Sequence, residues 1–199
     1  MGNKLLTIDH LRNVNGLHNI PKRFTVHQNI CLDYKLSDDI LIDGVFDFDI
    51  FLPKYGVNLQ RPYVWENYQA SEFLISILLE KPISDFVLIK HIDDRKRLEQ
   101  TTKYLVIDGK QRLLTIKKFL LGEIQLEIGN EKYSFNDLDS DLKTFFLRRL
   151  GYMTATVYYS YFDMPITDDM KITLFNFYNF AGTPQTVEHK QMLQKLLEK

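Results

Sequence analysis

The run Val106-Ile107-Asp108-Gly109-Lys110-Gln111-Arg112 has the residue types and the order of an anion site. Apolar residues deliver the chain to an Asp-Gly turn, and a periodic apolar stripe begins directly after it, so a strand is expected to pass into a helix at this point. A helix that starts there leaves its first amide N–H groups without intrahelical partners and presents the positive end of its dipole. Those two properties suit a phosphate, and Lys110 and Arg112 add positive charge beside the amides. Gln111 brings a neutral donor and acceptor, and Asp108 is placed to cap the helix or to hold a magnesium ion. Cations in a first helical turn oppose the dipole by roughly 0.3–1 kcal/mol each, so two of them there call for a reason. The plainer alternative is a good turn followed by solvated basic residues, and spacing alone does not separate the two.

A second run, Gln60-Arg61-Pro62-Tyr63-Val64-Trp65, adds a guanidinium fork. Pro62 keeps Arg61 extended, and an extended Gln-Arg pair beside aromatic rings suits a phosphate or carboxylate and, behind it, a flat base. For Tyr63 and Trp65 the reading favours core or groove-wall positions over a stacking platform.

The elements that must hold these runs follow from periodicity. Phe46, Phe48, Ile50 and Leu52 alternate with Asp47 and Asp49, which predicts one half-buried strand closed by Pro53, followed by a polar turn over Tyr55 to Asn58. Phe73, Leu74, Ile77 and Leu78 predict a helix that Lys81-Pro82 stops. Strands are expected over 85–90 and 103–107, with the charged stretch Asp93 to Arg97 as an exposed hairpin tip. Leu113, Leu114, Ile116, Phe119 and Leu120 make the stripe of the helix that starts at Lys110, with Gly122 as its cap. A strand over 124–128, a helix over 141–150, a strand over 151–159 and helices over 165–178 and 186–197 complete the pattern, with a loop from Asn179 to Pro184. Residues 1–40 are weakly patterned and read as an N-terminal extension; residues 41–199 read as one α+β domain, a small mixed sheet flanked by helices with further helices at the C-terminus.

Composition narrows the function classes. The chain has 199 residues, 45% hydrophobic and 26% charged, with no apolar run near the ~20 residues of a membrane helix. Its 25 Lys+Arg stand against 26 Asp+Glu, a net charge of −1, so no global basic field draws it onto nucleic acid. The single cysteine, Cys31, excludes an internal disulfide, and the N-terminal sequence has no signal-peptide core, so a cytoplasmic location is expected. His10, His18, His27, His91 and His189 show no metal-ligand spacing. The acids Asp33, Asp38, Asp39, Asp43, Asp47 and Asp49 read as a solvated face, and Arg95-Lys96-Arg97 and Arg148-Arg149 as short basic spots on a loop and a helix end.

Taken in order, Leu59 to Trp65, Val106 to Leu113 and Phe175 to Pro184 resemble the ParB/sulfiredoxin-like domain family that forms the N-terminal part of GmrSD-type, modification-dependent restriction proteins. The resemblance covers roughly residues 45–195. In that family an Asp-Gly-Gln-Gln-Arg motif is associated with nucleotide binding and divalent-metal-dependent hydrolysis in defence against phage DNA. The resemblance therefore implies a nucleoside triphosphate ligand with Mg2+, a catalytic set of Asp108, Gln111 and Arg112, metal on Asp108, and a pocket made by Gln60, Arg61, Gly109 and Lys110 with Asn179 at its rim. Lys110 stands where the family has its first Gln, which makes binding the firmer implication and turnover the weaker. The family's restriction proteins continue into a His-Asn-His nuclease domain, and His189 alone does not make such a site.

Three functions compete. The leading one is a nucleotide-binding domain, an NTP hydrolase or switch, in which Arg61, Lys110 and Arg112 neutralise the triphosphate and Gln111 positions water; it predicts that Arg112→Ala removes binding and leaves the fold intact. The second is a nuclease using the same Asp, Gln and Arg on DNA. The third is a non-catalytic interaction module that docks on a nuclease subunit or forms a homodimer.

Overall fold

A computed structural model of the chain describes residues 25–29, 46–92, 104–161, 164–180 and 195. The central element is a five-stranded mixed sheet in the order β1-β9-β5-β6-β2. Its strands are β1 (Thr25–Asn29), β2 (Phe46–Asp47), β5 (Phe86–Ile92), β6 (Tyr104–Asp108) and β9 (Thr154–Tyr161). β1 runs antiparallel to β9, β9 parallel to β5, β5 antiparallel to β6 and β6 parallel to β2. Four helices, α1 (Asn67–Leu78), α2 (Lys110–Leu120), α3 (Ser140–Gly151) and α4 (Asp168–Phe180), join two short hairpins, β3 (Phe51–Leu52) with β4 (Val57–Asn58) and β7 (Leu126–Ile128) with β8 (Glu131–Tyr133). The α+β expectation with a small mixed sheet is met.

Period two explains the layering. On β5, Phe86 and Leu88 face one side and pack with Leu74 and Ile77 of α1, Leu113, Ile116 and Phe119 of α2, and Phe146 and Leu150 of α3. Val87 and Ile89 face the other, against Ile50, Leu52, Leu59 and the α4 residues Ile172, Leu174 and Phe175. A strand covered on both faces reads as an unbroken apolar run, which is why Phe86-Val87-Leu88-Ile89 shows no alternation. On the three-helix side Phe119, Phe135 and Phe146 meet with ring centroids 5.5–6.0 Å apart.

The single strand predicted over Phe46 to Leu52 is instead two: β2 belongs to the main sheet and β3 pairs only with β4. The in–out alternation survives the break, with Phe46, Ile50 and Leu52 buried and Asp47 and Asp49 exposed, because the chain bends between two cores and not within one. The turn read over Tyr55 to Asn58 contains β4, so the segment is a hairpin. Lys54 and Tyr55 at its tip bond to Asp169, and the Lys54 amide donates to Asp168 at 3.1 Å, fastening the hairpin to the first turn of α4. Asn179 and Phe180, expected to open a loop, belong to α4, and the rest of that expected loop, Ala181 to Pro184, lies outside the described residues. Within residues 1–40, Thr25–Asn29 forms the sheet edge. The Asp93–Arg97 tip and the 186–197 helix lie outside the described residues, Lys195 excepted, as do Cys31 and the acids from Asp33 to Asp43.

Candidate functional site

The strand-to-helix turn is as the sequence predicts: β6 ends at Asp108 and α2 begins at Lys110, with Gly109 between them at φ 105°. A Cβ at Gly109 would lie 2.4 Å from Phe86 Cδ1 and 3.3 Å from Arg112 Nη2, so both the left-handed backbone and the close approach of a ring require glycine. No side chain caps α2, and its first turn holds no acid. Asp108 does not serve as the cap; its carboxylate turns to Arg112 instead.

Both terminal nitrogens of Arg112 are engaged. Nη1 donates to the Ser84 carbonyl and, at 2.9 Å, to Ser84 Oγ. Nη2 donates to the Asp85 carbonyl at 3.2 Å and to Asp108 Oδ2 at 3.0 Å. The guanidinium lies 4.7 Å over the Phe86 ring, and burial pushes its pKa down while Asp108 and Asp85 hold it up. Its charge sits at a helix N-terminus because the carbonyls before β5 need a donor there.

Gln111 is engaged as completely. Its Oε1 accepts from the Val64 amide at 2.9 Å and its Nε2 donates to the Pro62 carbonyl at 3.0 Å, a two-point clamp that fixes the extended 60–65 segment along α2. Tyr63 adds a hydroxyl contact of 2.9 Å to Thr115, and Trp65 packs edge-on against Phe73 at 5.6 Å. Both aromatics are groove wall, as the sequence favours. Gln60 Nε2 donates to the carbonyls of Val106 (2.7 Å) and Ile107 (3.1 Å), and Asn179 Nδ2 reaches the same Ile107 carbonyl at 3.0 Å. Two distant segments thus close on the end of β6.

Two cations stand differently. Lys110 is buried at 8% exposure, and its Nζ lies 3.5 Å from Asp49 Oδ1. Asp49 is itself placed by its amide bond to Asp47 Oδ1 and by Asn58 Nδ2, 3.0 Å each. Arg61 is exposed and makes no hydrogen bond or ion pair with the described residues. Among the described residues no three His, Cys, Asp or Glu side chains group as a metal site, and Asp108 Oδ2 already accepts from Arg112.

Seven of the eight residues singled out in the sequence are thus linked by bonds or by chain position to one turn, Asp49, Ser84 and Asp85 join them, and Arg61 is exposed beside Gln60. Asp49 carries a weak sequence signal, an acid alternating with buried residues; Ser84 and Asp85 contribute backbone carbonyls, which no residue type announces.

A family model for the N-terminal domain of the GmrSD restriction endonuclease matches residues 41–190. The chain belongs to that family. Every residue of the turn site lies inside the match, so the GmrSD domain includes the clamp, the Asp-Gly turn and α4, and its context is DNA restriction and phage defence. No curated protein and no solved structure matches the chain. No helix among the described residues of this GmrSD domain is long and apolar enough to cross a membrane.

Proposed function

We propose that this domain binds a nucleoside triphosphate at the start of α2. The observation that carries the reading is the first turn of α2: no side chain caps it, and its first residue is a buried lysine whose ammonium faces Asp49. Arg61, exposed beside Gln60, would supply a second charge for the phosphates. Gln60, Gln111, Arg112 and Asn179 act by shape, holding the 60–65 wall, the turn and α4 in register. Mg2+ would enter with the triphosphate, whose phosphates, with water and the Asp108 carboxylate, would complete such a shell. Turnover would need a group to activate water, and Gln111, the sequence candidate, is clamped on Pro62 and Val64; the reading therefore is a binding domain or switch within a restriction system. The Asp-Gly turn between a mixed-sheet strand and a helix also supports a ParB/sulfiredoxin-like fold.

Titration calorimetry of ATP, GTP, CTP and UTP, with and without magnesium, tests the proposal. One nucleotide is expected to bind, and Lys110→Met and Arg61→Ala to weaken it at least about tenfold, the order of one charge-assisted phosphate contact. Unchanged affinity in both variants, or no binding of any nucleotide, overturns it. Nicking of plasmid DNA lost in Asp108→Ala would favour the nuclease reading instead, and capture of a nuclease subunit without nucleotide affinity the interaction module.

A further inference from the structure

The ion pair between Asp49 and Lys110 is left open by an ångström that neither partner needs. Lys110 Nζ stands 3.5 Å from Asp49 Oδ1, whereas a charge-assisted N–H···O bond closes to about 2.7–2.9 Å. Lys110 is buried, so a closer carboxylate would compensate a charge that water reaches poorly. The Asp49 side chain is 71% exposed, so packing does not hold it back.

The backbone around Asp49 is fixed. Ile50, Leu52 and Leu59 are fully buried, the Leu59 amide donates to the Ile50 carbonyl at 3.0 Å, and the hairpin tip is bonded to Asp169. Side chains therefore set the gap, and Asn58 of β4 is the one in place to do so. Its Oδ1 accepts from the Gln60 amide at 3.0 Å. A backbone N–H needs an acceptor, which turns the amide nitrogen of Asn58 the other way, and Nδ2 donates to Asp49 at 3.0 Å. The atom it takes is Oδ1, the same oxygen that faces Lys110. The two ends of one side chain thus hold the carboxylate opposite Lys110 and the start of the wall, where Gln60 reaches the carbonyls of Val106 and Ile107.

We propose that Asn58 is a positioning residue of the α2 site: it restrains Asp49 short of Lys110, so that the ammonium keeps bonding capacity for a phosphate. The ligand in this proposal rests on the nucleotide reading above; the restraint on Asp49 does not. Without the Asn58 amide, Asp49 closes on Lys110 and the site neutralises itself.

The first test needs no ligand. The nitrogen resonance of the Lys110 ammonium in the full chain is expected to move in Asn58→Leu, and to stay in place when Asn58→Leu is added to Asp49→Asn. The second is calorimetry of all four proteins with inorganic tripolyphosphate and with ATP, GTP, CTP and UTP plus magnesium. Asn58→Leu should weaken binding about threefold, the order of one partly exposed ion pair, and the loss should vanish in the Asp49→Asn background. A merely damaged hairpin would carry the same loss in both backgrounds. An unmoved resonance, tighter binding in Asn58→Leu, or an equal loss with and without the Asp49 carboxylate overturns the proposal. A resonance that moves as expected in a chain that binds no nucleotide overturns the nucleotide reading and supports the restraint.

Discussion

Arg112 and Arg61, the same residue type on two segments that Gln111 clamps together, stand in opposite conditions. Arg112 gives its donors to two backbone carbonyls, a hydroxyl and a carboxylate, over an aromatic ring; Arg61 bonds to no described residue. Gln111 and Lys110, adjacent in sequence, divide the same way: the amide clamps Pro62 and Val64, whereas the ammonium holds one exposed carboxylate at 3.5 Å. A polar group whose partners are all within the fold shapes a site, and one left with capacity to spare can bind in it.

The comparison breaks most visibly at Gly109. Gly109→Ala must place a methyl on the Phe86 ring and keep a left-handed φ, and should cost roughly 2–4 kcal/mol, seen as a large fall in Tm. Arg112→Ala should follow at about 2–4 kcal/mol, because it orphans the Asp108 carboxylate and two carbonyls. Arg112→Lys should rescue little, since an ammonium cannot reproduce the fork. A stable Arg112→Ala protein would return that residue to the ligand-contacting group. Gln111→Leu should lose about 1–2 kcal/mol and loosen residues 60–65, measured by faster amide exchange of Val64. Lys110→Met should leave Tm nearly unchanged and reduce nucleotide affinity about tenfold. Asp49→Asn is expected to have the smallest effect, raising nucleotide affinity about two- to fivefold by removing the carboxylate that Lys110 now faces. Weaker binding in that variant would mean Asp49 contacts the ligand's metal rather than competing with its phosphates.

Much of the site was legible in advance because its signals are local. An Asp-Gly turn between an apolar run and a 3.6-residue stripe specifies strand, turn and helix without reference to the rest of the chain. The same holds for the helix that ends before Pro82 and for the glycine after α2, Gly122 at φ 73°. The strand break between Phe46 and Leu52 was not legible: alternation is the same whether the residues face one core or two. Nor was the fate of Arg112, whose chief partners, the carbonyls of Ser84 and Asp85, belong to the backbone of another strand's approach.

By itself the sequence determined the strand, the Asp-Gly turn and the helix after it, and that two cations would stand in the first turn of α2, because residue type, period and turn chemistry are properties of short segments. Tertiary structure decided what each one does there. Hydrogen-bond satisfaction depends on which carbonyls and carboxylates the packing of β5, β6 and the 60–65 segment brings within 3 Å or so. That packing bound Arg112 and Gln111 into the scaffold, set the Lys110 ammonium against Asp49, and left Arg61 exposed.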